Sequence, residues 1–485
     1  MRAICIVLII LFVCGAAIGD VIKQVNEPAP YRVYQRAADN KATIAVSGEI
    51  NPGTRGTVEA CLTKSGCALS GCGWEQLKLE GQSFAGEISN VPAGGRYILR
   101  IRVRDGAKTI SERSVPGILV GDLWIVAGQS NMEGAGKLTK TEEPSEYVNA
   151  LYFGDRWGMA QDPLCWFDEA VESVHWSSSD PVERAANARD DRAYRDYGCG
   201  PAVRFGKEMY KSTGIPVGLI VCPHGGTSLD QWSPKLKDKG GESLYGGMIR
   251  RIGLAGGKAA GCIWYQGESD ALDFEGKDYK EKTIDFIKSL RADIEQPDLP
   301  FIYVQLGPYR AWGLSKSSHD GWNKVQYDQL QLEKELPNLM FAAAIDGTLS
   351  DPIHLDSASQ SRLGVRLAKL AQKMLFGKKI EVGPRPVKIE FVGPSRRFIR
   401  VSYDSVNGSL SPVRNVRGFV IAKDDNQIAI QSCVVESSGK SVLITLAKPA
   451  PEGATIRYGR GTYPVVNLID KEDFPAPVFG PVGIK

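Results

Sequence analysis

Between Gly117 and Gly377, short apolar runs alternate with stretches of helical spacing, and no other feature restricts the chain so strongly. The runs are Leu123–Ala127, Val217–Cys222, Cys262–Tyr265, Phe301–Leu306 and Met340–Ile345. Each has strand length and almost no polar residue, as a parallel sheet covered on both faces requires. One helix is expected from Pro201, with proline at an opening position, to Gly214. Another is expected near Ser357, where Ser357 and Gln360 suit a capping box and Leu363, Leu367, Leu370 and Met374 recur at helical spacing. The class is α/β: a three-layer α/β/α domain with a mainly parallel sheet.

The flanks read differently. From Val21 to Val115 the pattern is short and strand-like; Tyr97, Leu99, Ile101 and Val103 share one strand face, and Arg100, Arg102 and Arg104 take the other. After Gly383-Pro384-Arg385-Pro386, the runs Phe398–Tyr403, Phe419–Ala422, Val442–Leu446 and Thr455–Tyr458 return to that character. An N-terminal and a C-terminal β-sandwich are therefore expected around the central domain. The expected divisions are 1–19, 20–116, 117–380 and 381–485, as suits a chain too long for one core.

Arg2, the apolar run Ile4–Val13 and the small residues Gly15, Ala16, Ala17 and Gly19 have the layout of a secretory signal peptide, cleaved after Gly19. The run is shorter than the ~20 apolar residues of a spanning helix. No later stretch is long enough to cross a bilayer, so a secreted or periplasmic protein without a stable membrane span is expected. Eight cysteines remain beyond the leader, and in an oxidising compartment some should pair, with Cys61, Cys67 and Cys72 as the favoured cluster. The net charge of +3 is spread along the chain without a basic block, which argues against a nucleic-acid partner. Neither a metal nor a cofactor is called for.

The chemistry-bearing residues fall where strands end. Gly128-Gln129-Ser130-Asn131-Met132 follows the first run directly, placing a serine at a strand's carboxyl end, where open α/β sheets bind ligands. A helix-capping serine is the plainer reading. Met132 stands where the Gly-x-Ser-x-Gly elbow needs glycine, so this is not that elbow. Of four histidines, His354 follows the last run within Asp351-Pro352-Ile353-His354, so the aspartate can hold Nδ1 and leave Nε2 for a serine proton. Cys222-Pro223-His224-Gly225-Gly226-Thr227 and Trp264-Tyr265-Gln266-Gly267-Glu268-Ser269-Asp270 end two more runs and offer backbone and amide donors.

Gly-Gln-Ser-Asn-Met, Gly-Gly-Thr, Trp-Tyr-Gln-Gly-Glu-Ser and Asp-x-x-His, in this order, resemble the sialate O-acetylesterase family of SGNH-type hydrolases, with acetylxylan esterases as relatives. The resemblance implies an SGNH-hydrolase-like domain and removal of acetyl groups from carbohydrates without a cofactor. Carried over by position, it implies Ser130 as nucleophile, His354 as base and Asp351 as its acid, with Glu268 as the competing acid. It also implies an oxyanion hole of the Ser130 amide, Gly225 and Gln266. His224 stands where many relatives carry tryptophan. An acetylated carbohydrate is the expected partner; sialic acid would favour an arginine, with Arg156, Arg192, Arg195 and Arg310 all open. Eight of nine tryptophans lie between Trp124 and Trp322, a density that suits either a core or a sugar cleft. Oligomeric state is silent. The alternatives are an idle carbohydrate-binding protein of the same fold, a glycosidase using Glu268 and Asp270, and a protease or lipase using the same triad.

Overall fold

A computed structural model describes residues 21–69, 73–310, 316–424 and 426–485. The expected signal peptide and Cys72 lie outside the described residues.

The chain forms two compact units. The first takes in the segment up to Ala29 with residues 43–89 and 97–116. Its strands Ile22–Glu27, Lys41–Ile50, Ser83–Pro92, Glu75–Glu80, Thr57–Lys64 and Gly94–Asp105 neighbour one another in that order, followed by the first half of Lys108–Gly128. Tyr97, Leu99, Ile101 and Val103 are buried on one face, while Arg102 on the other pairs with Glu59 at 2.6 Å. Period-two alternation thus sorts apolar from charged side chains.

The second unit holds residues 30–42, 90–96 and 117–485. Its central strands lie in the order Arg156–Met159, Val148–Tyr152, Val217–Val221, Lys108–Gly128, Gly261–Tyr265, Phe301–Gln305 and Leu339–Ala343. Every pairing is parallel except that of the edge strand Arg156–Met159. The Val148–Tyr152 strand lies outside the expected set. Its run is short, interrupted by Asn149 and followed closely by a hairpin, so it lacks the long apolar signature of its neighbours.

Helices pack where the apolar spacing directs them. Ala202–Thr213 buries Val203, Phe205 and Met209 and ends at Gly214, whose φ of 69° is the left-handed stop that glycine takes without strain. Ser357–Phe376 buries Leu363, Leu367 and Leu370. Its cap differs from expectation: Asp356 accepts the Ser359 N–H at 2.8 Å. Ser357 instead donates to the Lys137 carbonyl, and Gln360 turns toward Asn131. The stronger acceptor, one residue earlier, takes the orphan amide.

Beyond residue 384 lie two four-stranded sheets, ordered Arg385–Phe391, Phe398–Asp404, Ser441–Leu446, Ile430–Val435 and Asn426–Ile428, Phe419–Lys423, Thr455–Tyr458, Phe479–Gly483. The pairings within them are antiparallel. They belong to the same compact unit as the central sheet. Gln305 joins the two by donating to the Val478 carbonyl at 3.0 Å and accepting its N–H at 2.9 Å.

Cys67, Cys165, Cys199, Cys222, Cys262 and Cys433 carry free thiols, and all but Cys67 are buried. The buried ones serve as small side chains within the packed layers. Among the described residues, no helix is long and apolar enough to cross a membrane.

Candidate active site

Three strand ends converge at the centre of the sheet. Gly128 lies beside Tyr265, and Val126 beside Val221, where strands added later in the chain flank the first on both sides. Chains leaving such a reversal diverge and leave a crevice. The geometry at Gly128 is tight: φ is 132°, and a Cβ would lie 2.2 Å from the Tyr265 carbonyl oxygen. Only glycine lets the Gln129 N–H reach that carbonyl at 2.8 Å while its own carbonyl accepts the His224 N–H at 3.0 Å.

Ser130 then opens a single helical turn, Ser130–Glu133. Its hydroxyl is half-buried and stands 2.9 Å from His354 Nε2. His354 Nδ1 is 2.6 Å from Asp351 Oδ2. The other carboxylate oxygen, Oδ1, accepts the Ile353 and His354 backbone N–H groups at 2.9 and 2.8 Å. Burial pushes the Asp351 carboxyl up, but these amides and the imidazole outweigh it and hold the group below the usual aspartate range. Residues 130, 351 and 354, which the sequence motifs group together, therefore meet within hydrogen-bonding reach.

Glu268 takes a different place. It is buried without a cation and accepts from Asn131 Nδ2 at 2.9 Å. Burial pushes its carboxyl up to about 7, against the pull of the Asn131 hydrogen bond. It is Asp351, not Glu268, that touches the imidazole. Asp270 is also buried and accepts the Leu229 N–H at 3.0 Å. Neither carboxyl faces a cleft, which removes the pair from consideration as glycosidase acids.

The two expected oxyanion donors beside the Ser130 amide make other hydrogen bonds in the structure. Gln266 is fully buried, and its NH₂ donates to the Thr227 carbonyl at 3.0 Å and to Asp270 at 2.5 Å. Two buried acceptors claim both protons of that amide, so Gln266 braces the loops and does not face the serine. Gly225 does abut Ser130, since a Cβ there would lie 3.3 Å from Ser130 Cβ. Its N–H, however, donates to Glu133 Oε2 at 2.9 Å. Sequence reasoning misses Glu133, though it lies in the same turn as Ser130. Burial raises its carboxyl despite the Arg195 ion pair at 3.2 Å.

Arg195 also donates to the Cys165 carbonyl and lines a cavity of about 520 Å³ with Tyr152, Trp157, Trp166, Arg156 and Arg192. The Arg192 guanidinium stacks 3.8 Å over the Trp166 ring and pairs with Glu169; Arg156 shares that carboxylate at 3.0 Å. Arg310 reaches the Tyr463 hydroxyl at 2.7 Å. The tryptophans divide accordingly. Trp124, Trp232, Trp264 and Trp322 are core, and Trp157 and Trp166 face the cavity.

His224 pairs with His175, Nδ1 to Nδ1 at 2.8 Å, and Phe167 stacks on the His224 ring at 4.6 Å. Burial lowers His224 to about 4 and takes His175 well below its ordinary value. Two neutral rings can share one proton in this arrangement; two cations cannot. The unfolded chain, with histidine near 6.5, therefore binds the proton first. Stability is complete above that pH and declines as pH falls toward 4, by on the order of 3 kcal/mol for His224. Denaturant unfolding of the parent and His224→Phe at neutral and at acid pH checks this. The parent should lose the more on acidification, and equal losses contradict the account.

Among the described residues, no group of three or more His, Cys, Asp or Glu side chains is arranged to hold a metal ion.

Residues 120–373 match the family model described as carbohydrate esterase, sialic acid-specific acetylesterase. A probable carbohydrate esterase of Arabidopsis thaliana is 29% identical over 261 residues, covering 51% of this chain and 88% of its own. The human sialate O-acetylesterase is 24% identical over 362 residues, 66% of this chain and 64% of its own. Among solved structures, a carbohydrate acetylesterase from Xanthomonas citri aligns with a TM-score of 0.62 at 24% identity, over 94% of this chain and 99% of its own; that likeness speaks to fold. The matched span exceeds half of the chain and contains all four strand-end loops, and the chain belongs to the carbohydrate esterase family of sialic acid-specific acetylesterases.

Proposed function

We propose that this chain hydrolyses acetyl esters on carbohydrates by acyl transfer through Ser130, His354 and Asp351. The observation that carries the reading is the relay of short contacts from Asp351 through the imidazole to the serine hydroxyl, 2.6 and 2.9 Å long. Ser130 Oγ attacks the acetyl carbonyl carbon as its proton passes to His354 Nε2. The carbonyl oxygen gains the charge and meets the Ser130 amide, one of the free N–H groups that open a helical turn. The ester C–O bond then breaks, and the sugar oxygen leaves with the proton from His354. Water attacks the acetyl-serine with the same histidine as base, releasing acetate and restoring the hydroxyl. Asp351 keeps Nδ1 protonated and offsets the charge that builds on the ring.

The aromatic and arginine-lined cavity beside Arg195 supports a sugar as the leaving group, since ring faces stack on pyranoses and guanidinium groups bond to hydroxyls or a carboxylate. In this reading residues 117–380 form the catalytic domain, the N- and C-terminal sheets act as flanking β-sandwiches, and the leader directs export. The test is acetate release from acetylated sialosides, acetylated xylan and simple sugar acetates. Release from at least one class, without reducing sugar, is expected. Sugar binding without any acetate release would reverse the conclusion.

A further inference from the structure

Asn131, the residue after the nucleophile, is bonded to the peptide groups on both sides of His354. Its Oδ1 accepts the Leu355 N–H at 3.0 Å and Gln360 Nε2 at 3.2 Å. Its Nδ2 donates to Glu268 Oε1 at 2.9 Å and faces the Ile353 carbonyl at 3.4 Å. Turned so that its amide nitrogen faces acceptors, Gln129 donates to Glu268 Oε2 at 3.1 Å and to the Thr227 carbonyl at 3.2 Å. Asn131 and Glu268 are each only 1% exposed. One buried side chain therefore joins the nucleophile turn, the loop after Gly261–Tyr265 and the histidine loop.

That histidine loop has little regular structure of its own. Asp351 and Pro352 are exposed, and residues 350–354 form bends without a helix or strand. Its remaining ties include the Ser350 N–H to the His354 carbonyl at 2.9 Å and the Arg310 N–H to the Pro352 carbonyl at 2.7 Å. Neither connects it to Ser130. A carboxylate buried without a cation is costly, and its environment explains the choice of residue. The two Glu268 oxygens face two N–H donors. A glutamine there would set its own NH₂ against one of them, and a buried donor facing a donor loses a hydrogen bond on each side.

We propose that Asn131 and Glu268 are positioning residues, forming a buried clamp that fixes the backbone at His354 so that Nε2 stays in reach of the serine hydroxyl. The inference rests on the acyl-transfer reading above and adds to it the parts that set its alignment. The clamp does not touch substrate, so it acts on turnover and not on sugar affinity.

The test uses the full chain with a soluble sugar acetate, measuring kcat and KM separately beside a thermal melt. Asn131→Ala and Glu268→Gln should each lower kcat by about 10- to 100-fold through misalignment, with KM little changed. Asn131→Asp sets two carboxyls face to face and should do the same or worse. Combining Asn131→Asp with Glu268→Gln reverses the donor and acceptor: the amide introduced at position 268 donates to the carboxylate introduced at position 131 and keeps its oxygen for Gln129. The double variant should therefore recover about tenfold in kcat over either single change. Gln360→Ala removes one bond and leaves the buried carboxyl in place, so it serves if Glu268→Gln does not fold; a several-fold loss of kcat is expected. Parent kcat in Glu268→Gln, or in Gln360→Ala if that substitute is needed, overturns the clamp, as does a double variant no faster than its parents. Ser130→Ala run in parallel separates the two levels. If it is inactive while the clamp variants turn over at the parent rate, the clamp alone fails; if it retains the parent rate, the acyl-transfer reading fails.

Discussion

Ser130→Ala is expected to lower kcat for acetate release by on the order of 10⁵-fold or more while leaving the fold intact. The size of the effect follows from the isolation of the Ser130 hydroxyl as proposed nucleophile. Among the described residues, the serine hydroxyl is the hydrogen-bond partner of His354 Nε2, and the neighbouring polar side chains are committed elsewhere. Asn131 clamps the histidine loop, Glu133 holds the Gly225 amide, and Gln266 bonds to Thr227 and Asp270. None can turn to attack in its place. A general-base route, with His354 activating water directly, keeps only what the oxyanion donor and substrate binding supply. The fold should not suffer, because the hydroxyl's one bond is to an imidazole at the rim of the site, and its loss costs about 1 kcal/mol or less. Comparing kcat with the unfolding midpoint checks both halves. A large fall in stability would mean that the serine had been structural.

Asp351→Asn should cost about 10³- to 10⁴-fold in kcat, and for a reason specific to this loop. Asp351 Oδ1 is fixed by two backbone N–H groups, from Ile353 and His354. An asparagine must give its carbonyl oxygen to those donors, which leaves its NH₂ pointing at His354 Nδ1. Facing a donor, Nδ1 becomes the acceptor, the ring proton moves to Nε2, and the nitrogen facing Ser130 can no longer take a proton. The substitution thus selects the wrong tautomer with almost no change in shape. Glu268→Gln, by contrast, acts only through alignment and should fall well short of this loss. Carboxylate replacement at 351 should restore activity where amide replacement does not. Turnover of Asp351→Asn and Asp351→Glu on one substrate makes the comparison, and equal rates for parent and Asp351→Asn would remove Asp351 from the mechanism.

How far the chain's residues announce this arrangement depends on which interaction decides each element. Strands such as Val217–Val221 are buried on both faces, so their apolar runs carry their own signal. Val148–Tyr152 is as deeply placed but contains Asn149, whose amide reaches the Tyr31 carbonyl at 2.6 Å. A tertiary partner offsets the burial of that polar residue, and no local pattern reveals it. The serine, histidine and aspartate can be named because each lies at a strand end with an unusual neighbour set. The oxyanion donors are harder. Whether Gln266 faces solvent or Thr227 depends on where a separate loop runs, which spacing along the chain does not encode. The same holds for Asn131, adjacent to the nucleophile in sequence but defined by partners more than two hundred residues away. The buried cysteines show the reverse case. Their number suggests covalent pairing, yet side-chain packing alone accounts for Cys262 on a central strand and Cys222 just beyond the end of another.

A serine-directed organophosphonate bearing a good leaving group gives the most direct measurement. It should attach to one position, the peptide containing Ser130, as activity disappears, and His354→Ala should resist labelling. Stoichiometric inactivation with the label on another residue, or undiminished labelling of Ser130→Ala, would contradict the assignment of the nucleophile.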